Sequence, residues 1–164
     1  MFYLAWTTCQ YVPRDGAVNP DVRSLRPPGA FNTVSEAAVF NAIAFVLTRT
    51  SKYSQNVAGL IKTFFLDNVT GMNPNLNFGQ VIRGPGISGR SGTFTGILDA
   101  RGMVKIANAI GIVRSANSSD WSALDGQMMK WANEYVSWLI NSPSGKKAAS
   151  RPKSVPALFC LYAR

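Results

Sequence analysis

From Trp121 to Trp138, large apolar side chains recur three and four residues apart: Trp121, Leu124, Met128, Trp131, Tyr135 and Trp138. That spacing sets them on one face of a long α-helix and excludes a strand, whose faces alternate every two residues. It predicts a helix that starts after Asp120 as N-cap and is closed by Pro143. A second stripe, Tyr53, Val57, Leu60, Ile61 and Phe64, predicts a helix from Ser51 or Lys52 to about Asp67, with Gly71 as its stop. Thr33-Val34-Ser35-Glu36 has the form of a capping box and predicts a helix from there through about Thr50. The apolar residues of that helix (Val34, Ala37, Ala38, Phe40, Ile43, Ala44, Phe45, Leu47) cover most of its circumference, so it is expected to lie buried between neighbours. A further helix is predicted over about Ile97 to Arg114, with Val104, Ala107, Ile110 and Val113 inward. No segment of note alternates with period two. The expected fold class is therefore all-α, and long helices joined by loops fit antiparallel pairs in a layered or toroidal α/α arrangement.

At 164 residues and 46% hydrophobic content the chain can bury a core and is expected to form one domain. Lysine and arginine number 17 against 8 acids, a net charge of +9, which fits either a polyanionic partner (nucleic acid, acidic glycan or an anionic membrane surface) or a basic but unspecific solvated surface. The basic residues are dispersed apart from Lys146, Lys147, Arg151 and Lys153, and no RNA-recognition, zinc-finger or helix-turn-helix signature supports nucleic acid. Cys9 and Cys160 stand near opposite ends and define no disulfide framework. With no histidine in the chain, no zinc site and no metal is expected. The apolar start, Met1 to Trp6, lacks the basic flank of a signal peptide, and no run reads as long and uncharged enough to cross a bilayer. Asn68-Val69-Thr70 and Asn117-Ser118-Ser119 permit N-glycosylation if the chain is secreted.

The chemistry-bearing residues collect in the loops between Thr63 and Ala107. Asn73, Asn75, Asn77, Gln80, Arg83 and Arg90 are hydrogen-bond donors that suit an anionic polyhydroxyl ligand, and an arginine can grip a carboxylate with two parallel bonds. The alternative is structural, with the asparagines capping turns and Arg83 capping a helix end. The glycine-rich loop 83–92 lacks the phosphate-binding pattern and suits a mobile lid better. Trp131, Tyr135 and Trp138 fit either a sugar-stacking platform or, at helical spacing, the core; Tyr53 and Tyr135 likewise read as core. Tyr11 and Tyr162 stand in loops, and a tyrosine without a tuning neighbour is a poor base at neutral pH.

Several motifs agree, in order, with one family. Tyr11-Val12-Pro13-Arg14-Asp15-Gly16, Asn19-Pro20-Asp21-Val22-Arg23, Phe64-Phe65-Leu66-Asp67 and Met72-Asn73-Pro74-Asn75-Leu76-Asn77 resemble the alginate lyase superfamily in its fungal branch. So do Arg83-Gly84-Pro85-Gly86, Thr95-Gly96-Ile97-Leu98-Asp99 and the helix ending Glu134-Tyr135-Val136-Ser137-Trp138-Leu139. The resemblance covers about Cys9 to Ala149. It implies an (α/α) toroid, secretion, and β-elimination of uronic-acid polysaccharides such as alginate without an organic cofactor. Such an elimination needs a group to neutralise the uronate carboxylate, a base for the carbon-5 proton and an acid for the leaving oxygen. In the family histidine and tyrosine serve the last two roles. Here Lys146-Lys147-Ala148-Ala149 matches the approach to the family's Asn-Asn-His-Gly motif, but Ser150-Arg151-Pro152-Lys153-Ser154 does not match the motif itself. Thr93-Phe94-Thr95-Gly96 stands where fungal relatives carry Thr-His-Thr-Gly.

The resemblance thus implies a partial (α/α) toroid of antiparallel helix pairs, truncated at both ends, with a divergent tail at 150–164 of the kind a frame-shift would leave. The expected protein is a polysaccharide lyase relative with impaired or no catalysis and no assignable catalytic residue. Its expected partner is an acidic polysaccharide, bound through Asn73, Asn75, Asn77, Gln80, Arg83 and Arg90. Two alternatives stand beside it: a non-catalytic binder of acidic carbohydrate, and a basic protein that binds nucleic acid or membrane by charge. Missing helices leave apolar faces uncovered, so dimerisation or swapping is expected.

Overall fold

The computed structural model describes residues 27–81 and 92–150. These form α1 (Pro27–Thr48), α2 (Ser51–Ile61), α3 (Met103–Ser115), α4 (Ser119–Asn141) and α5 (Pro143–Ala149). A π-helical turn (Lys62–Leu66) and a 3-10 helix (Phe94–Ala100) complete them, and no strand occurs among the described residues. Cys9, Tyr11, Arg83, Arg90, the divergent tail beyond Ser150, Cys160 and Tyr162 lie outside the described residues. The described residues divide into two compact units: 27–75 with 100–140, and 76–81 and 92–99 with 141–150.

The larger unit is built on α1. The helix starts at Pro27 rather than at the expected capping box, because Pro27-Pro28 have no N–H to leave unmet in a first turn. The box residues are helix interior: the Thr33 hydroxyl donates to the Gly29 carbonyl at 3.1 Å, and Glu36 accepts from Asn32 Nδ2 at 3.0 Å. Phe31, Ser35, Ala38 and Ala42 form the buried face. Arg49, in the left-handed region at φ 56°, turns the chain sharply into α2, and its N–H still reaches the Phe45 carbonyl at 2.8 Å. The two helices run antiparallel, clipped by Asn56 Nδ2 donating to Asn41 Oδ1 at 2.9 Å. The opposite face of α1 corrects the expectation of full burial. Phe40 (68% exposed), Ile43, Val46 and Leu47 (78%) face outward. By length and composition alone 28–48 could cross a membrane, contrary to the expectation from sequence; of its faces, the one bearing Phe31, Ser35, Ala38 and Ala42 is buried.

The stripe of α2 holds through Val57 and Ile61 and then shifts. The Asp67 N–H bonds back five residues to the Lys62 carbonyl at 2.9 Å, so the π-helical turn inserts one residue and Phe65, not Phe64, becomes the buried ring. The predicted helix 97–114 breaks at Gly102. A Cβ there would lie 2.8 Å from Ser35 Oγ, so the close approach to α1 requires glycine. This contact also selects the register of α3: Ile106, Ala109 and Val113 are buried, whereas Val104 and Ala107 of the expected set face out. Lys105 Nζ donates to Glu36 Oε1 at 2.8 Å and thereby fixes the start of α3 beside the N-terminal half of α1.

α4 carries the anticipated stripe, with Trp121, Met128, Trp131 and Tyr135 buried. Its cap is Ser118, whose Oγ accepts the Trp121 N–H at 3.3 Å; Asp120 sits in the first turn and accepts from the buried Ser54 hydroxyl of α2. Trp131 in turn meets Phe65 edge-on at 4.8 Å, so α4 runs parallel to α2 from Ser54 to Phe65. A continuous row of rings, Phe31, Phe64, Phe65, Trp131, Tyr135 and Trp138, occupies the core of this unit, the centroids of consecutive rings lying 4.8 to 6.3 Å apart. In the smaller unit Ser142 caps α5 by accepting the Gly145 N–H at 3.0 Å, with Pro143 at the helix start.

Candidate functional site

Two segments carry the amides singled out in the sequence. The first, in the larger unit, is the loop after the π-helical turn. Asp67 starts it by accepting the Val69 and Thr70 N–H groups on Oδ1 at 2.8 and 2.9 Å, an Asx-type turn. Those bonds hold its carboxyl below the ordinary aspartate range. The Met72 N–H bonds the Phe64 carbonyl, and the Met72 carbonyl accepts Trp131 Nε1, both at 2.8 Å. The loop is thus tied by its backbone to α2 and α4, which leaves the Asn73 side chain exposed and Asn75 half-buried.

The second segment, in the smaller unit, is the turn 77–80. Its backbone is bonded at Asn77 and Gly79: the Gly79 N–H to the Leu76 carbonyl at 3.0 Å, the Gly92 N–H to the Asn77 carbonyl, and the Thr93 N–H to the Gly79 carbonyl at 2.9 Å. Gly79 packs directly on Gly96, where a Cβ would lie 2.6 Å from the Gly79 carbonyl carbon and oxygen. Gln80 occupies the left-handed region at φ 54°. Its Nε2 donates to both Asp99 oxygens at 3.1 and 3.0 Å, and its carbonyl accepts the Thr93 hydroxyl at 3.3 Å. The Thr93 and Thr95 hydroxyls are 2.6 Å apart, and Lys147 Nζ lies 5.4 Å over the Phe94 ring.

The structure therefore brings Asn77 and Gln80 into one turn and sets Asn73 and Asn75 on another; Arg83 and Arg90 lie outside the described residues. Asp99 is the residue that sequence reasoning missed. Its signal was the run Thr95-Gly96-Ile97-Leu98-Asp99, whose glycine and carboxylate hold the amide-bearing turn from beside it. The tyrosine question also closes for Tyr135: its hydroxyl is buried, has no hydrogen-bond partner among the described residues, and is pushed up to about 12 by burial. It belongs to the core and is not a base at neutral pH.

Comparison with known proteins agrees with this architecture. The helices match the crystal structure of an alginate lyase from Bacteroides ovatus, with 25% sequence identity and a TM-score of 0.73 over 86% of this chain and 36% of that chain. The fold is thus all-α, of the (α/α) toroid class, and the chain spans about a third of the length of that lyase. The alginate lyase family model matches residues 5–152, and the chain belongs to that family. No match is found among curated proteins.

Proposed function

We propose that this polysaccharide lyase relative binds a uronic-acid polysaccharide and does not cleave it. One observation carries the proposal: residues 5–152, which match the family, contain no histidine. β-Elimination breaks the carbon-5 C–H bond and the glycosidic bond at carbon 4, and the electron pair becomes the carbon 4–carbon 5 double bond. The proton needs a base, and the departing oxygen needs an acid. What supports the recognition half of that chemistry is the set of donors Asn73, Asn75, Asn77, Arg83 and Arg90 in the sequence, on a chain of net charge +9. For the transfer half the described tyrosines offer little access: Tyr135 is sealed in the core, and Tyr53 is half-buried on the helical face of α2.

The family resemblance also supports secretion of the protein to where such polysaccharides occur. Gln80 serves the proposed binding indirectly, because its amide is committed to Asp99. Titration with polymannuronate, polyguluronate and glucuronan at two salt concentrations tests the binding. Saturable binding to a uronan that persists at moderate salt is expected. Binding that collapses steeply with salt and is matched by single-stranded DNA would instead mark a protein that binds polyanions by charge.

A further inference from the structure

The turn 77–80 is held more firmly than a connecting loop requires. Its backbone is bonded at Asn77, Gly79 and Gln80, its close packing against Gly79 admits only glycine at 96, and Gln80 is kept in a left-handed conformation that non-glycine residues seldom adopt. Strain maintained by surrounding bonds is a device for holding a side chain in place. At the tip of this turn stands Phe78, 75% exposed. Among the described residues, the other large apolar side chains that face outward as strongly stand on helix faces, such as Phe40 and Leu47 of α1, or are aliphatic, as Val69 is. Phe78 is an aromatic ring on a non-helical turn, beside the exposed amide-bearing residues Asn77 and Gln80. An aromatic face flanked by a few fixed polar groups is the usual make-up of a small-molecule subsite. A pyranose presents a face of polarised C–H groups that suits the negative face of an aromatic ring, and hydroxyls at its rim that suit amides.

We infer that Phe78 is the stacking platform for one sugar ring of the bound uronan, with Asn77 at its edge and the Gln80–Asp99 pair holding the turn that presents it. This rests on the binding proposed above and adds a subsite to it. In such a subsite stacking supplies affinity that salt does not screen, whereas arginine contacts supply affinity that it does.

Calorimetric titration of the full chain with hexasaccharides of mannuronate, guluronate and glucuronate tests the assignment, with the melting temperature recorded for each variant. Phe78→Ala is expected to weaken binding about tenfold at both low and moderate salt, as loss of one aromatic stacking contact does. Phe78→Trp is expected to retain it, and Leu47→Ala, which removes a comparably exposed side chain on α1, to leave it unchanged. Wild-type binding with Phe78→Ala equally tight overturns the subsite and leaves the uronan reading intact. A Phe78→Ala loss that Phe78→Trp fails to restore in a folded sample also overturns it. Failure of the wild-type chain to bind any of the three hexasaccharides overturns both.

Discussion

At the scale of single residues, several side chains occupy positions whose cost can be read directly. The Tyr135 hydroxyl is buried and has no partner among the described residues. Tyr135→Phe removes that polar group while keeping the ring stacked between Trp131 and Trp138, and should raise stability by about 1 kcal/mol in denaturant titration. A loss of stability would mean that the hydroxyl is satisfied in solution. Arg49 holds φ 56° at the end of α1, where glycine incurs no Cβ penalty. Arg49→Gly should therefore stabilise by about 0.5–1 kcal/mol in the same assay. Neither feature was legible in the sequence. The core position of Tyr135 followed from its spacing, but whether its hydroxyl found a partner depended on long-range packing. A left-handed arginine carries no local signature at all. Conversely, the value of Asn77 and Gln80 as a group was visible as composition, while the bonds to Asp99 and Gly92 that make them a fixed turn were not.

At the scale of elements, periodicity located the helices and packing then chose among registers. The stripe of α4 was legible because its aromatic residues recur on one face, where Trp121, Met128, Trp131 and Tyr135 are buried. In α3 apolar residues lie on several faces, so the spacing allowed two registers, and the Gly102–Ser35 contact decided between them. The shift from Phe64 to Phe65 arises from a backbone bond, which no side-chain pattern announces. Trp131 concentrates these contacts: it meets Phe65 and Tyr135 and donates to the Met72 carbonyl. Trp131→Ala should cost about 3–5 kcal/mol, measured by denaturant unfolding, and should loosen the loop that bears Asn73.

The acidic groups that join elements set the pH response. Hydrogen bonds from Lys105 and Asn32 hold the Glu36 carboxyl below its ordinary range, and the Arg114 guanidinium does the same for Asp125, at 2.6 Å from Nη2. Because the folded values lie below the unfolded ones, this stability is fully present above the ordinary carboxylate range near pH 4 and is lost as pH falls through the depressed values. The unfolding midpoint should accordingly fall on acidification below about pH 4, and Asp125→Asn should flatten part of that fall. A midpoint indifferent to pH in this window would remove these pairs from the account.

At the scale of the whole molecule, the fold class and the family were legible because independent motifs agreed in order over most of the chain, and the family match over residues 5–152 bears this out. Exposure was not legible: a helix apolar nearly all round implies burial, yet α1 presents Phe40, Ile43 and Leu47 outward. Apolar faces of this kind favour self-association. Sedimentation velocity should show species larger than the single chain that grow with concentration, and Leu47→Lys should diminish them. A single monomeric species at every concentration would count against that expectation.

The central claim is that recognition of the uronan survives in this chain while proton transfer does not. Ultraviolet absorbance of the unsaturated uronide tests it most directly, with folded wild-type protein on polymannuronate, polyguluronate and glucuronan. No growth of absorbance on any of the three, from a sample that binds one of them, is the predicted result. Absorbance that grows with time and is lost in Arg83→Ala would contradict it and would show a lyase that works without histidine.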